Sequence, residues 1–182
     1  GVIDFYNMRR REVLGKEPNA AHRALVELER HPGFEVEVIT QNIDDLHERA
    51  GSSRVTHLHG EVRKLRSSWD ELATVPIEGW EQQYDTRHPD GSLLRPFVVF
   101  FGESVPMLAR AIEITRTADV MIVVGTSLQV YPAASLVHYL RTGTPIYIID
   151  PSTPNTALQN LHVIPKPASL GVPELVEKLI RG

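Results

Sequence analysis

Val36-Glu37-Val38-Ile39-Thr40, followed at once by Gln41-Asn42-Ile43-Asp44-Asp45-Leu46-His47, is the stretch that decides the fold. The first five residues read as a buried strand. The seven that follow crowd amide, carboxylate and imidazole groups onto its end. In open parallel sheets ligands sit beyond the carboxyl ends of strands, so a small-molecule site is expected here. Just downstream, His57-Leu58-His59-Gly60-Glu61 adds two more imidazoles and a carboxylate.

Working outward, a helix is predicted from Phe5 to Val13. Pro18-Asn19 supplies a break and a cap before a second helix, Ala20 to Arg30, which carries Ala21, Ala24, Leu25 and Leu28 on one face and ends at Gly33. Asp44 to Ala50 is predicted helical, with Gly51 as its stop. From Arg63 to Leu94 the periodicity dissolves, and Pro89-Asp90-Gly91-Ser92 is a turn signal. Phe97 to Phe101 reads as a strand ending at Gly102-Glu103, and Pro106 begins a helix carrying Leu108, Ala111, Ile112 and Thr115.

Val120 to Val124 has the all-apolar character of a strand buried on both faces. Gly125-Thr126-Ser127 then turns toward a helix from Ala133 to Leu140. A strand, Ile146 to Ile149, ends at Asp150-Pro151, and a helix from Pro173 to Ile180 closes the pattern. The alternation predicts an α/β fold: a Rossmann-like, doubly wound parallel sheet over 1–62 and 95–182, interrupted by a small inserted module over 63–94.

The chain has 182 residues, enough for one main domain with a small insertion. A net charge of -4 gives no electrostatic footprint for nucleic acid. The absence of cysteine excludes disulfides, thiolate metal sites and a Cys nucleophile. No apolar stretch approaches membrane-spanning length and no signal-peptide pattern opens the chain, so neither membrane nor nucleic-acid partners are expected and a cytoplasmic monomer is.

Gln41, Asn42 and Asp44 converge beyond a strand, where amides and a carboxylate can grip hydroxyls and a carboxamide. Among the eight histidines, His59 is best placed for catalysis, flanked by Gly60 and a short connection after the polar cluster. An imidazole with an ordinary pKa of ~6.5 suits removal of a hydroxyl proton at neutral pH. His47 and His57 read as helix-face and supporting residues. Gly125-Thr126-Ser127 fits either a phosphate- or ribose-contacting loop or a simple glycine-assisted turn. Tyr6 and Arg9 share a helix face, although an Arg within Arg9-Arg10-Arg11 reads by default as solvated surface.

Thr40-Gln41-Asn42-Ile43-Asp44, His59-Gly60, Val99-Phe100-Phe101-Gly102-Glu103 and Val124-Gly125-Thr126-Ser127-Leu128, in this order, resemble the sirtuin family. The opening Phe5 to Val13, with Pro18-Asn19-Ala20-Ala21-His22, is similar to its bacterial and mitochondrial branch. The resemblance implies NAD-dependent removal of acyl groups from protein lysines. In that chemistry nicotinamide leaves and the acyl oxygen attacks the ribose. A histidine base then activates a ribose hydroxyl, so the acyl group ends on ADP-ribose.

His59 falls at the position of that base. Gln41, Asn42, Ile43 and Asp44 match residues around the nicotinamide ribose and carboxamide, and Gly125, Thr126 and Ser127 the adenosine-side loop, with Asp150 and Ala168 as further adenosine contacts. Val99, Phe101, Gly102 and Val130 fall where the family holds the acyl-lysine peptide. Tyr6 and Arg9 match the Tyr-x-x-Arg pair of members that accept succinyl or malonyl groups, so desuccinylase and demalonylase activity are expected beside deacetylation.

Three departures accompany the resemblance. The family's opening glycine-rich turn and first strand-helix unit are not represented, which predicts poor NAD binding by this stretch alone. The Cys-x-x-Cys pairs of zinc-binding members are replaced by residues such as Ser67 and His88, so zinc is not expected, and packing of Trp69, Trp80 and Tyr84 is expected to hold the module. The family's late Asn-x-Glu is not legible, and Asp150 is its substitute. Mono-ADP-ribosyl transfer, and a non-catalytic module that only holds ADP-ribose or an acyl-peptide, are the alternative readings.

Overall fold

The Asn19 side chain accepts from the amides of Ala21 and His22, while the Asn19 amide donates to His22 Nδ1, and this reciprocal cap starts a helix where the Pro18-Asn19 pair predicts one. The computed structural model describes residues 1–100, 102–126, 133–152, 154 and 156–182. In it α1 spans Val2–Leu14, α2 Ala20–Arg30, α3 Leu46–Ala50, α4 Leu108–Arg116, α5 Ala133–Leu136 and α6 Ala168–Arg181. Gly51 takes a left-handed conformation just after α3 and stops it, as its position predicts.

Strands β1 (Val38–Thr40) and β2 (Val55–His57) run parallel, with Thr40 opposite His57. Strands β6 (Met121–Val124), β7 (Ile146–Ile149) and β8 (Leu161–Ile164) form a second parallel ladder. Strand β3 (Gly60–Ser67) pairs antiparallel with both β4 (Thr74–Pro76) and β5 (Leu94–Val98). The fold is the expected α/β, Rossmann-like one, with its parallel strands in two ladders among the described residues.

Several elements differ from the sequence reading. Strand β1 begins at Val38 rather than Val36, and β5 ends at Val98 rather than beyond. Strand β6 is not buried on both faces: Val124 is exposed, because β6 pairs with β7 alone among the described residues. Strand β8 was not anticipated, since its burial is slight and the polar His162 interrupts its apolar pattern. Helix α6 starts at Ala168, so Pro173 lies inside it. The expected 133–140 helix shortens to α5 plus a 3-10 turn over 137–139.

Helices α2 and α6 sandwich one core, in which Ala21, Ala24 and Leu28 pack with Val172, Leu175 and Val176 around Ile149 of β7. Small residues permit that approach. A Cβ on Gly171 would lie 2.4 Å from the Ile149 side chain, so only glycine lets α6 settle onto β7. Among the described residues no helix is long and apolar enough to cross a membrane.

Helix α1 buries a polar face. Arg10 is 0% exposed, and its guanidinium donates to the carbonyls of Trp80 (2.8 Å) and Val62 (3.1 Å) and to Asn7 Oδ1 (2.6 Å). Asn7 in turn bonds the backbone of Gln82 in both directions, at 3.2 and 2.7 Å. The solvated reading of the arginine run therefore fails at its middle member, which reaches carbonyls of β3 and of the loop after β4.

The aromatic packing expected to hold the segment from 63 to 94 fails for two of its three members: Trp69 is 72% and Tyr84 61% exposed, while Trp80, at 36%, meets the Arg11 guanidinium 5.2 Å from its ring centroid. A hydroxyl hub replaces it. The buried Ser67 hydroxyl accepts from the amides of Trp69 and Asp70 (3.0 Å each), donates to Asp90, and meets the Ser92 hydroxyl at 2.9 Å. Ser92 donates to Asp90 through both its hydroxyl (2.7 Å) and its amide (2.9 Å), and His88 Nδ1 accepts from the Asp90 amide. These oxygens are engaged with one another, and the set does not fit a thiolate zinc tetrahedron.

Candidate functional site

Three backbone bonds bring the candidate residues to one place. The Leu58 amide donates to Thr40 (2.9 Å), the Val62 amide to Ile43 (2.8 Å), and the Val99 amide to the carbonyl of His59 (2.9 Å). His59, half-buried in the turn from β2 to β3, thus stands between the loop that follows β1 and the segment that follows β5. Gly60 makes the junction possible. Its φ is +94°, and a Cβ there would lie 2.0 Å from the Phe97 carbonyl oxygen.

The loop of Gln41, Asn42, Ile43 and Asp44 leaves the carboxyl end of β1 as the sheet rule requires. The Asn42 amide is turned in by Thr40 Oγ1 at 3.0 Å, and its side chain is exposed. Asp44 Oδ1 accepts from the Leu46 amide (3.1 Å) at the start of α3. The side-chain amides of Gln41 and Asn42 hold no hydrogen-bond partner among the described residues, and so remain available to a ligand with hydroxyl and carboxamide groups.

Below this loop lies a cluster that sequence reasoning treated as background. His57, 4% exposed, approaches the Asn42 carbonyl through Nδ1 (3.0 Å) and Glu48 through Nε2 (2.7 Å), with Glu61 at 3.8 Å. Burial pulls the His57 pKa down, but its hydrogen bonds to Glu48 and Asn42 and the charges of Glu48 and Glu61 leave it raised. Burial pushes Glu48 up, but the bond from His57 leaves it lowered. His47 behaves oppositely: burial, then the neighbouring His22, hold it down to about 4, and the two rings meet edge-on at 4.7 Å.

On the other side of His59, the turn after Val99 is clamped. Arg95 donates to both oxygens of Glu103 (2.9 Å each) and to the Val98 carbonyl, and its guanidinium lies 4.0 Å from the Phe100 ring centroid. Glu103 also accepts from the Phe100 amide at 2.7 Å, and its pKa is held to about 2, first by the Arg95 hydrogen bond. Gly102 supplies the positive φ of +84° within this turn. A cleft of about 230 Å³ opens here, lined among others by Gly60, Arg66, Val98, Val99 and Glu103.

Tyr6 stacks on Phe100 with ring centroids 5.8 Å apart, which brings α1 to the same clamp. Burial, partly offset by Arg9 and Arg95, keeps the Tyr6 phenol above its ordinary pKa and therefore a proton donor. Arg9 is exposed, and among the described residues its ion pair is a 3.8 Å contact to Glu12. Of the remaining candidates, Gly125 has φ +71° and its amide donates to Ile149 (3.0 Å). Thr126 follows it, half-buried. Asp150 closes a turn by accepting from the Ser152 amide (2.8 Å), and Ala168 begins α6 against the core. Phe101, Ser127 and Val130 lie outside the described residues.

Sequence reasoning noted Glu61 without giving it a role, and missed Glu48, Arg95 and the buried state of His57. Their signal was the presence of charged residues at alternating strand and helix positions, which charge alone reads as solvated surface.

Comparison with known proteins identifies the family. The Sir2 family model matches residues 2–132. An NAD-dependent protein deacylase of Bacteroides thetaiotaomicron is 46% identical over 98% of this chain and 78% of its own length. One from Aggregatibacter actinomycetemcomitans is 54% identical over 85% of this chain and 73% of its own. Among solved structures, a Sir2 homologue in complex with NAD superposes with a TM-score of 0.84 at 41% identity, covering 98% of this chain and 70% of the other. With a family model spanning most of its residues and relatives aligned across nearly its whole length, this chain belongs to the Sir2 family.

Proposed function

We propose that this protein is an NAD-dependent protein-lysine deacylase that consumes NAD as a co-substrate and moves the acyl group from lysine to ADP-ribose. The observation that carries this reading is the junction at residue 59, where main-chain bonds bring the backbone of His59 between the Gln41–Asp44 loop and the Val99 segment. His59 acts as the base that takes a ribose hydroxyl proton. Asn42 and Asp44 hold the carboxamide and ribose end, Gln41 the ribose, and Gly125 with Thr126 the adenosine side. Val99 and Gly102 receive the peptide by backbone pairing. In the same reading residues 63–94 form an inserted module and 1–62 with 95–182 carry the nucleotide.

The acyl preference follows from α1. A guanidinium fork and a phenol that stays protonated can together hold the free carboxylate of a succinyl or malonyl group, and the loose Arg9–Glu12 contact leaves Arg9 available for it. Replacing Arg9 with Met should lower kcat/KM for succinyl-lysine peptides on the order of 10- to 100-fold, the worth of a charged hydrogen-bonded contact, and leave acetyl-lysine turnover nearly unchanged. Equal losses on both substrates would refute the assignment. Mass spectrometry of the products tests the reaction itself: O-acyl-ADP-ribose with free lysine supports deacylation, whereas an ADP-ribosylated protein would mean transfer to another nucleophile.

A further inference from the structure

Both ring nitrogens of the buried His57 face acceptors. A carbonyl oxygen, that of Asn42, can only accept, so Nδ1 carries a hydrogen; Glu48, a carboxylate, accepts from Nε2. A neutral imidazole cannot donate from both nitrogens, so with Glu48 held ionised by its lowered pKa this geometry calls for the doubly protonated ring. The elements it joins are separate: the loop after β1 through Asn42, α3 through Glu48, and β3 through Glu61, which is itself paired with Lys64 at 2.9 Å.

We propose that His57 is a positioning residue which, as a buried imidazolium, ties the Gln41–Asp44 loop to α3 and so sets the affinity of the site for the nicotinamide end of NAD. This deepens, and rests on, the deacylase reading above. His57 itself touches no reacting atom; it acts through the Asn42 backbone. The other groups near it are consistent with a single positive charge at this point. His47 on α3 is held neutral near neutral pH, Glu48 and Glu61 are the facing carboxylates, and Arg66, Glu71 and Glu103 share the adjoining cleft.

The sign follows from the raised pKa of His57. The tie is complete below the ordinary histidine value of ~6.5 and is lost as pH rises through the higher, folded-state value. KM for NAD should therefore climb on the alkaline side while kcat holds. Glu48→Gln keeps an acceptor but removes the charge, so the alkaline limb should move to lower pH and KM for NAD at neutral pH should rise about five-fold. His57→Gln, which cannot donate to both acceptors, should abolish the pH dependence of that limb.

The test pairs these profiles with ring-nitrogen NMR of His57 and amide exchange at Asn42 and Val62 in the same protein, readouts that need no turnover. Protonation of both ring nitrogens at neutral pH, with exchange at Asn42 rising as the ring titrates, supports the proposal. A neutral ring at that pH, exchange indifferent to its titration, or an unshifted limb in Glu48→Gln overturns it. A protein that binds NAD but turns over no acyl-lysine would instead count against the deacylase reading, and leave the NMR result to decide the role of His57.

Discussion

His59→Tyr should reduce deacylation by about 10²- to 10⁴-fold, the usual worth of a positioned general base, while leaving the protein folded. The expectation rests on where the residue sits. It is half-buried in a turn, its backbone is held by the Val99 amide, and no neighbouring side chain depends on its imidazole among the described residues. Because nicotinamide leaves before a ribose hydroxyl must be deprotonated, exchange of labelled nicotinamide into NAD should survive the substitution. Steady-state kinetics with an acyl-lysine peptide, beside the exchange assay and a thermal melt, check all three parts. A variant that keeps more than about a tenth of wild-type turnover would remove His59 from the role of base.

Arg10→Ala should be the most damaging change to stability. The guanidinium is fully buried, and its three acceptors are the carbonyls of Trp80 and Val62 and the side chain of Asn7. Truncation strands those oxygens away from water and leaves a void the length of an arginine. Hydrogen bonds to charged groups contribute about 1.5–3 kcal/mol each and are not additive, so a loss of roughly 3–5 kcal/mol is expected. That is a large share of the ~5–15 kcal/mol that holds a typical domain together. At about 2–4 °C per kcal/mol for a chain of this size, the melting temperature should drop by roughly 10 °C. Urea denaturation measures it. Arg10→Lys should recover only part, because an ammonium cannot fork to three separate acceptors. A loss below about 1 kcal/mol would show that these bonds add nothing beyond hydration.

The elements with strong local signals were legible in the chain. The Asn19 cap, the Gly51 stop and the apolar 146–149 strand stand where periodicity and capping chemistry put them. So does the loop at the end of β1, because a dense polar run after an apolar one has few structural explanations. What failed was any feature whose energy comes from tertiary partners. Strand β8 owes its existence to pairing with β7, which local sequence does not encode. Arg10 is buried because carbonyls from residues 62 and 80 converge on it, and nothing in Arg9-Arg10-Arg11 distinguishes the member that faces them. The ionic state of His57 likewise depends on Glu48 and the Asn42 carbonyl, nine and fifteen positions away. Within the site, His59 and Val99 are joined by a backbone bond that the sequence does not encode, and the clamp of Arg95 on Glu103 likewise required the hairpin register to be known.

The hub of Ser67, Asp90 and Ser92 carries a consequence for the conditions under which the antiparallel sheet stays closed. Burial raises the Asp90 pKa, but hydrogen bonds from Ser67 and Ser92 and the charge of His88 bring it to about 2. The closure is therefore present above the ordinary carboxylate range and is lost only as pH falls through that value. Peroxide, mercurials and glutathione disulfide find no sulfhydryl at this point to modify. An oxidative burst that would unpin a cysteine-ligated knuckle leaves this one shut.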